Sequence, residues 1–237
     1  LMEIKDNDNA LKIWKEALSI NENNPQIYNN IGNLLTETND EKQAVEYYKK
    51  AIDLKKDFFI AHYNLGNVLQ KLRQFKDSIK SYDLAIKLNF NYAEAYYNRA
   101  NSYRELNFLD NALNDYISAY KINPELKNLF GNIVFTKKYL CKWENFNEDV
   151  KKLEIDILDN KFVIDPFSLL SILDSPVLQK KNTSKHISKK NISIPKFENK
   201  LKSKEIKKKI KIGYYSSDFK IHPVSHLIAG VFEAHDK

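Results

Sequence analysis

The stretch PQIYNNIGNLLTETNDEKQAVEYYKKAIDLKKDF, residues 25–58, decides the fold. Its apolar and small residues fall at helical spacing: Tyr28, Ile31, Gly32 and Leu35, then Ala44, Tyr48, Ala51 and Ile52. Asn39 and Asp40, between the two sets, suit a break. The spacing predicts one helix over residues 25–38 and a second over residues 41–54. Gly32, Ala44 and Ala51 are small where two helices must approach closely, and Tyr28 and Tyr48 are large where a gap must be filled.

The same register runs outward on both sides. Ala10, Ala44, Ser78 and Ala112 stand 34 residues apart, as do Trp14, Tyr48, Tyr82 and Tyr116, and Ala17, Ala51, Ala85 and Ala119. Tyr28, His62, Tyr96 and Phe130 form another series, with Gly32, Gly66 and Ala100 beside it. A 34-residue period of helix pairs resembles the tetratricopeptide (TPR) repeat. It predicts half a repeat at 6–24, full repeats at 25–58, 59–92 and 93–126, and a degraded one near 127–160. A single hairpin cannot bury its apolar face, so stacking is expected to bend the array into a superhelix with a concave inner surface. His62 and the aromatic column are expected in the core. The Arg99 stem is expected to cover apolar surface with its head at the edge.

Two asparagine columns share this period: Asn30, Asn64, Asn98 and Asn132, and beside them Asn33, Asn67 and Asn101. Residues i and i+3 share a helix face, which places both columns on the inner surface. An amide both donates and accepts, so such a ladder suits the backbone of an extended polypeptide. The alternative is that these residues hold neighbouring helices together.

Composition narrows the classes. The chain has 237 residues, 43% of them hydrophobic, with a formal charge of +7. Its single cysteine, Cys141, excludes an intramolecular disulfide framework and a multi-Cys zinc site. Cys141 lies in an apolar-aromatic run and is expected to be a buried, inert thiol. No apolar run approaches the roughly 20 residues of a membrane span, and no secretory signal pattern opens the chain. A reduced, cytoplasmic setting without membrane contact is the expectation. Residues 179–211 hold 13 Lys against Glu198 and Glu205, so the positive excess sits there and the remainder is net acidic. No aromatic platform interleaves those lysines, which favours a solvated linker over a nucleic-acid partner.

Residues 130–159 keep a helical period but lose the small-residue register, the pattern of a capping helix pair. Further on, Ile210–Tyr215 alternates like a strand. Ser216–Ile221 reads as a loop, and His222-Pro223 opens an amphipathic helix over 224–235. Strand, loop and helix is the opening of an α/β sheet, where ligands bind at the carboxyl ends of the strands. His222, at the helix start, is favoured as neutral imidazole. His226 follows on the same face, but no third ligand completes a metal site. Helix capping or packing accounts for His222 as well as a functional role does.

Residues 210–237, IKIGYYSSDFKIHPVSHLIAGVFEAHDK, resemble the start of the catalytic region of TPR-containing O-linked N-acetylglucosamine transferases. The matching core is GY-x-SSDF-x-x-HP-x-SHL. Cys141-Lys142-Trp143 and residues 165–170, DPFSLL, resemble the join between repeats and catalytic region in bacterial-type members. The resemblance implies an inverting, metal-independent GT-B enzyme, with UDP-N-acetylglucosamine as donor and Ser or Thr hydroxyls as acceptors. It implies His222 lining the active site, His226 supporting it, and Asn30, Asn64, Asn98 and Asn132 holding the acceptor polypeptide. No cofactor beyond the donor sugar nucleotide is expected.

The expected organisation is mostly α: a TPR αα-hairpin solenoid over 1–126, a degenerate repeat with capping helices over 127–177, a basic linker over 178–208, and the first β-strand and helix of a truncated GT-B Rossmann-like lobe over 209–237. The chain reads as a fragment, inactive alone, of a protein O-GlcNAc transferase. The alternative is a non-catalytic TPR scaffold for a partner protein.

Overall fold

In the computed structural model, residues 2–159, 161 and 163–189 are described. The expected strand at 210–215, the helix after Pro223, and His222 and His226 all lie outside them. The described residues are helical, with no strand among them, and belong to one compact unit, Leu1–Ile192. None of their helices is long and apolar enough to cross a membrane.

Helix α1 spans Met2–Ile20. Three complete hairpins follow: α2 (Pro25–Glu37) with α3 (Glu41–Leu54), α4 (Phe59–Lys71) with α5 (Phe75–Leu88), and α6 (Ala93–Glu105) with α7 (Leu109–Ile122). The first helix of each is termed A and the second B. Helix α2 starts because Asn24 accepts hydrogen bonds from the amides of Gln26 and Ile27, with Pro25 in the first turn. Asp40 caps α3 in the same way through the Gln43 amide.

The A–B turn is one motif used four times. Asn39, Arg73, Asn107 and Cys141, 34 residues apart, have φ of 60°, 60°, 61° and 54°. The next residue's amide reaches back to close the turn: Asp40 to Leu35, Gln74 to Leu69, Phe108 to Tyr103 and Lys142 to Lys137, at 2.8–2.9 Å. This is the left-handed Schellman stop. Cys141 is therefore exposed, contrary to the expectation of a buried thiol. The stop turns its side chain outward, as it does those of Asn39, Arg73 and Asn107.

Within each hairpin the A helix offers a small residue to the B-helix aromatic. A Cβ on Gly32 would lie 2.7 Å from the Tyr48 ring, and one on Gly66 would lie 2.6 Å from that of Tyr82. Ala100 faces Tyr116, and all three tyrosines are at most 2% exposed. The expected degenerate repeat is a fourth hairpin, α8 (Leu129–Tyr139) with α9 (Phe146–Leu158). There the volumes are redistributed: Val134 stands in the glycine register and Val150 in the tyrosine register, both within the core of this hairpin.

His62 is packed as expected, 6% exposed, with Nε2 donating to the Lys56 carbonyl at 3.0 Å. Arg99 is held further inside than expected. Its guanidinium bridges Asp115 on α7 and Asp83 on α5, between the rings of Tyr96 and Tyr103.

Beyond α9 the array is closed by α10 (Pro166–Leu170) and α11 (Pro176–Lys189). Val163 and Ile164 cross close over α8 at Gly131, where a Cβ would collide with the Val163 carbonyl. Buried Asn182 of α11 ties this segment down. Its Oδ1 accepts from the Val163 amide and its Nδ2 donates to the Ile164 carbonyl. The expected linker over 178–208 is thus helical and packed in its described part, because Asn182 bonds backbone that would otherwise be buried unpaired.

Candidate functional site

The A helices lie on the inner side of the curve. Helix α4 touches both α2 and α6 directly, in addition to the B helices between them. Both asparagine columns belong to these A helices and meet along them.

Each column has its own bonding rule. Asn33, Asn67 and Asn101 accept from the hydroxyls of Tyr48, Tyr82 and Tyr116, at 2.8, 2.8 and 2.6 Å. Burial pushes the Tyr48 phenol up to about 12, and those of Tyr82 and Tyr116 in the same direction, so all three remain donors. The other column spends its nitrogen on the preceding repeat. Asn64 Nδ2 donates to Asn29 and Asn33, and Asn98 Nδ2 to Tyr63 and Asn67, at 2.9–3.1 Å. Asn132 donates to Tyr97 at 3.1 Å.

These bonds fix which end of each amide is left over. Asn64 and Asn98 keep a carbonyl oxygen that accepts nothing among the described residues. Asn33, Asn67 and Asn101 keep an N–H, since Tyr63 and Tyr97, one turn back, engage at most one hydrogen of Asn67 and Asn101. The inner face therefore alternates remaining donors with remaining acceptors, repeat by repeat.

The expected ladder is only partly uniform. Asn30 makes no such bond, since the described residues include no A helix ahead of α1 to supply the acceptors that α2 supplies to Asn64 and α4 to Asn98. Asn132 is 6% exposed and used at both ends, because Arg104 Nη1 donates to its Oδ1 at 3.2 Å. Around it lies a hollow of about 470 Å³, lined by Gln70, Tyr97, Asn101, Arg104 and Asp165 among others. Sequence reasoning missed the acceptor column Asn29, Tyr63 and Tyr97, although it too has the 34-residue spacing. Among the described residues no cluster of His, Cys, Asp and Glu could hold a metal ion.

Three repeat models match the chain, a TPR repeat at residues 32–72 and tetratricopeptide repeats at 59–92 and 93–126. Residues 32–126 are tetratricopeptide repeats. The solved structures agree on the fold. The crystal structure of MamA is 21% identical, covers 81% of this chain and 95% of its own, and gives a TM-score of 0.57. MamA 41-end from Desulfovibrio magneticus RS-1 is 22% identical, covers 64% of this chain and 85% of its own, and gives 0.58. No curated protein matches the chain. The TPR matches do not reach residues 210–237 and carry nothing about glycosyl transfer.

Proposed function

We propose that this chain is a polypeptide-binding scaffold whose TPR inner face holds an extended segment chiefly by its backbone. The observation that carries the reading is the alternation of remaining amide N–H groups on Asn33, Asn67 and Asn101 with remaining carbonyls on Asn64 and Asn98. An extended backbone presents the same alternation. The repeat network already orients these amides, so little ordering is left to oppose binding.

Asn67→Asp with Asn101→Asp tests this. An Asp keeps the oxygen that Tyr82 or Tyr116 needs but replaces the N–H with an acceptor. Binding of an extended peptide, read by fluorescence anisotropy, should weaken roughly tenfold or more. Unchanged affinity in the folded variant rejects the reading.

A second reading rests on the GY-x-SSDF-x-x-HP-x-SHL motif at 213–227. In it the polypeptide is an acceptor for N-acetylglucosamine transfer from UDP-N-acetylglucosamine in the parent protein, with His222 and His226 at the centre. Transfer of labelled sugar by the parent protein, lost in His222→Ala, would support it. Absence of transfer leaves the scaffold alone.

A further inference from the structure

The hollow beside Asn132 has a counterpart one repeat further on. The first is lined by Gln70, Arg73, Phe75, Asn101 and Glu105 among others. The second, of about 230 Å³, is lined by Arg104, Asn107, Leu109, Phe135, Thr136 and Tyr139. Gln70, Arg73, Phe75, Asn101 and Glu105 stand 34 residues before Arg104, Asn107, Leu109, Phe135 and Tyr139. The same inter-repeat crevice is thus met twice, first between α4 and α6 and then between α6 and α8. Arg104 lines both. Their chemistry differs. The first wall carries a guanidinium, a carboxylate and two amides, whereas the second carries Leu109, Phe135 and Tyr139.

The change falls on the amide ladder itself. Phe135 stands in the register of Asn33, Asn67 and Asn101, and Val150 in that of Tyr48, Tyr82 and Tyr116. The amide and the hydroxyl that would hold it are lost together. Packing accounts for Phe135, which joins the core of the fourth hairpin. It does not account for Tyr139, which is 61% exposed where the preceding repeats carry the charged Glu37, Lys71 and Glu105. The Tyr139 ring lies 4.7 Å from that of Phe135. A cavity of about 150 Å³ holds a benzene ring, so the second hollow has room for one aliphatic or aromatic side chain. We infer that it is a side-chain pocket for the polypeptide on the inner face, and that it selects an apolar residue such as Leu or Phe. The inference rests on the backbone reading of that face, with which the pocket is continuous through Arg104. Helices in contact lie about 8–10 Å apart, and an extended chain advances about 3.3 Å per residue. The apolar residue therefore lies about three positions from the one gripped at Asn101. The ladder holds any extended backbone, and the pocket at its end sets the register.

The test uses the full chain and a fluorescein-labelled peptide of about 12 alternating Thr and Ser residues, long enough to cross four A helices at about three residues each. One residue at a time is replaced by Leu, and anisotropy gives each affinity relative to the all-polar peptide. Leu should tighten binding about five- to tenfold near one end of the peptide and do little near the other, because the ladder lies to one side of the pocket. Phe at the favoured end should act alike. Tyr139→Glu, a change at an exposed side chain, should bring the ratio of Leu to all-polar affinity close to one. Phe135→Asn should do the same in a chain whose helical circular dichroism is retained. No gain from Leu, equal gains at every position, or a gain that survives Tyr139→Glu would overturn the pocket and leave the backbone reading in place. All-polar binding that ignores Asn67→Asp with Asn101→Asp rejects the backbone reading instead. A chain that binds neither the all-polar nor the Leu peptides rejects both.

Discussion

At the scale of single residues, the A–B turn separates what a position requires from what occupies it. All four stops need a left-handed residue, yet only Asn39 and Asn107 suit it, and Arg73 and Cys141 carry the steric cost. Arg73→Gly should therefore raise stability by about 0.5–1 kcal/mol, read from the urea midpoint, with a smaller gain for Asn107→Gly. The buried tyrosines set the alkaline limit. Below pH 10 the Tyr48 phenol is protonated in both the folded and unfolded chain. Above it the unfolded chain releases a proton that the folded chain holds until about 12, so stability falls as pH rises through that window. Tyr82 and Tyr116 are raised in the same direction and steepen the loss. Phenolate absorbance should appear together with loss of helical circular dichroism. Phenolate appearing near pH 10 in a still-folded chain would contradict this burial.

At the scale of elements, hairpin volume is conserved while its distribution changes. Gly with Tyr in the first two hairpins, Ala with Tyr in the third and Val with Val in the fourth fill one gap in three ways. Gly66→Val should destabilise by about 3 kcal/mol, because a branched side chain enters space that Tyr82 fills. Adding Tyr82→Val should cost less than the sum of the two single changes by about 1 kcal/mol or more, measured by a double-mutant cycle. Additivity would mean that the two sites relax independently. The closing elements depend on one amide. Asn182→Ala leaves the Val163 amide and the Ile164 carbonyl without their partner. The loss should be about 2–4 kcal/mol, with hydrogen exchange rising first in α11 and the segment beneath it.

At the scale of the whole molecule, repeats contact mainly their neighbours, so the inner face is assembled additively. If the backbone of the bound polypeptide is what the asparagines grip, affinity should tolerate side-chain changes. A scrambled peptide of equal length should bind within roughly tenfold of the original, with weak salt dependence. A steep salt dependence would instead point to charged groups such as Arg73 and Arg104 as the main contacts.

The sequence by itself determined the helical hairpins, their 34-residue register, the aromatic core and the asparagine columns, because each follows from a local period that any stacked repeat must satisfy. The same register already held the acceptor column Asn29, Tyr63 and Tyr97 and the turn column that ends at Cys141. The latter was obscured by the apolar run around that cysteine. Only the tertiary structure decided which end of each amide is spent, since that depends on a hydroxyl or carbonyl from the next helix. It also decided that Arg99 sits between two carboxylates, and that residues 176–189 form a packed helix. Helix α11 is polar by composition, and the partners of Asn182 lie 18 and 19 residues away on another segment, beyond the reach of any local pattern.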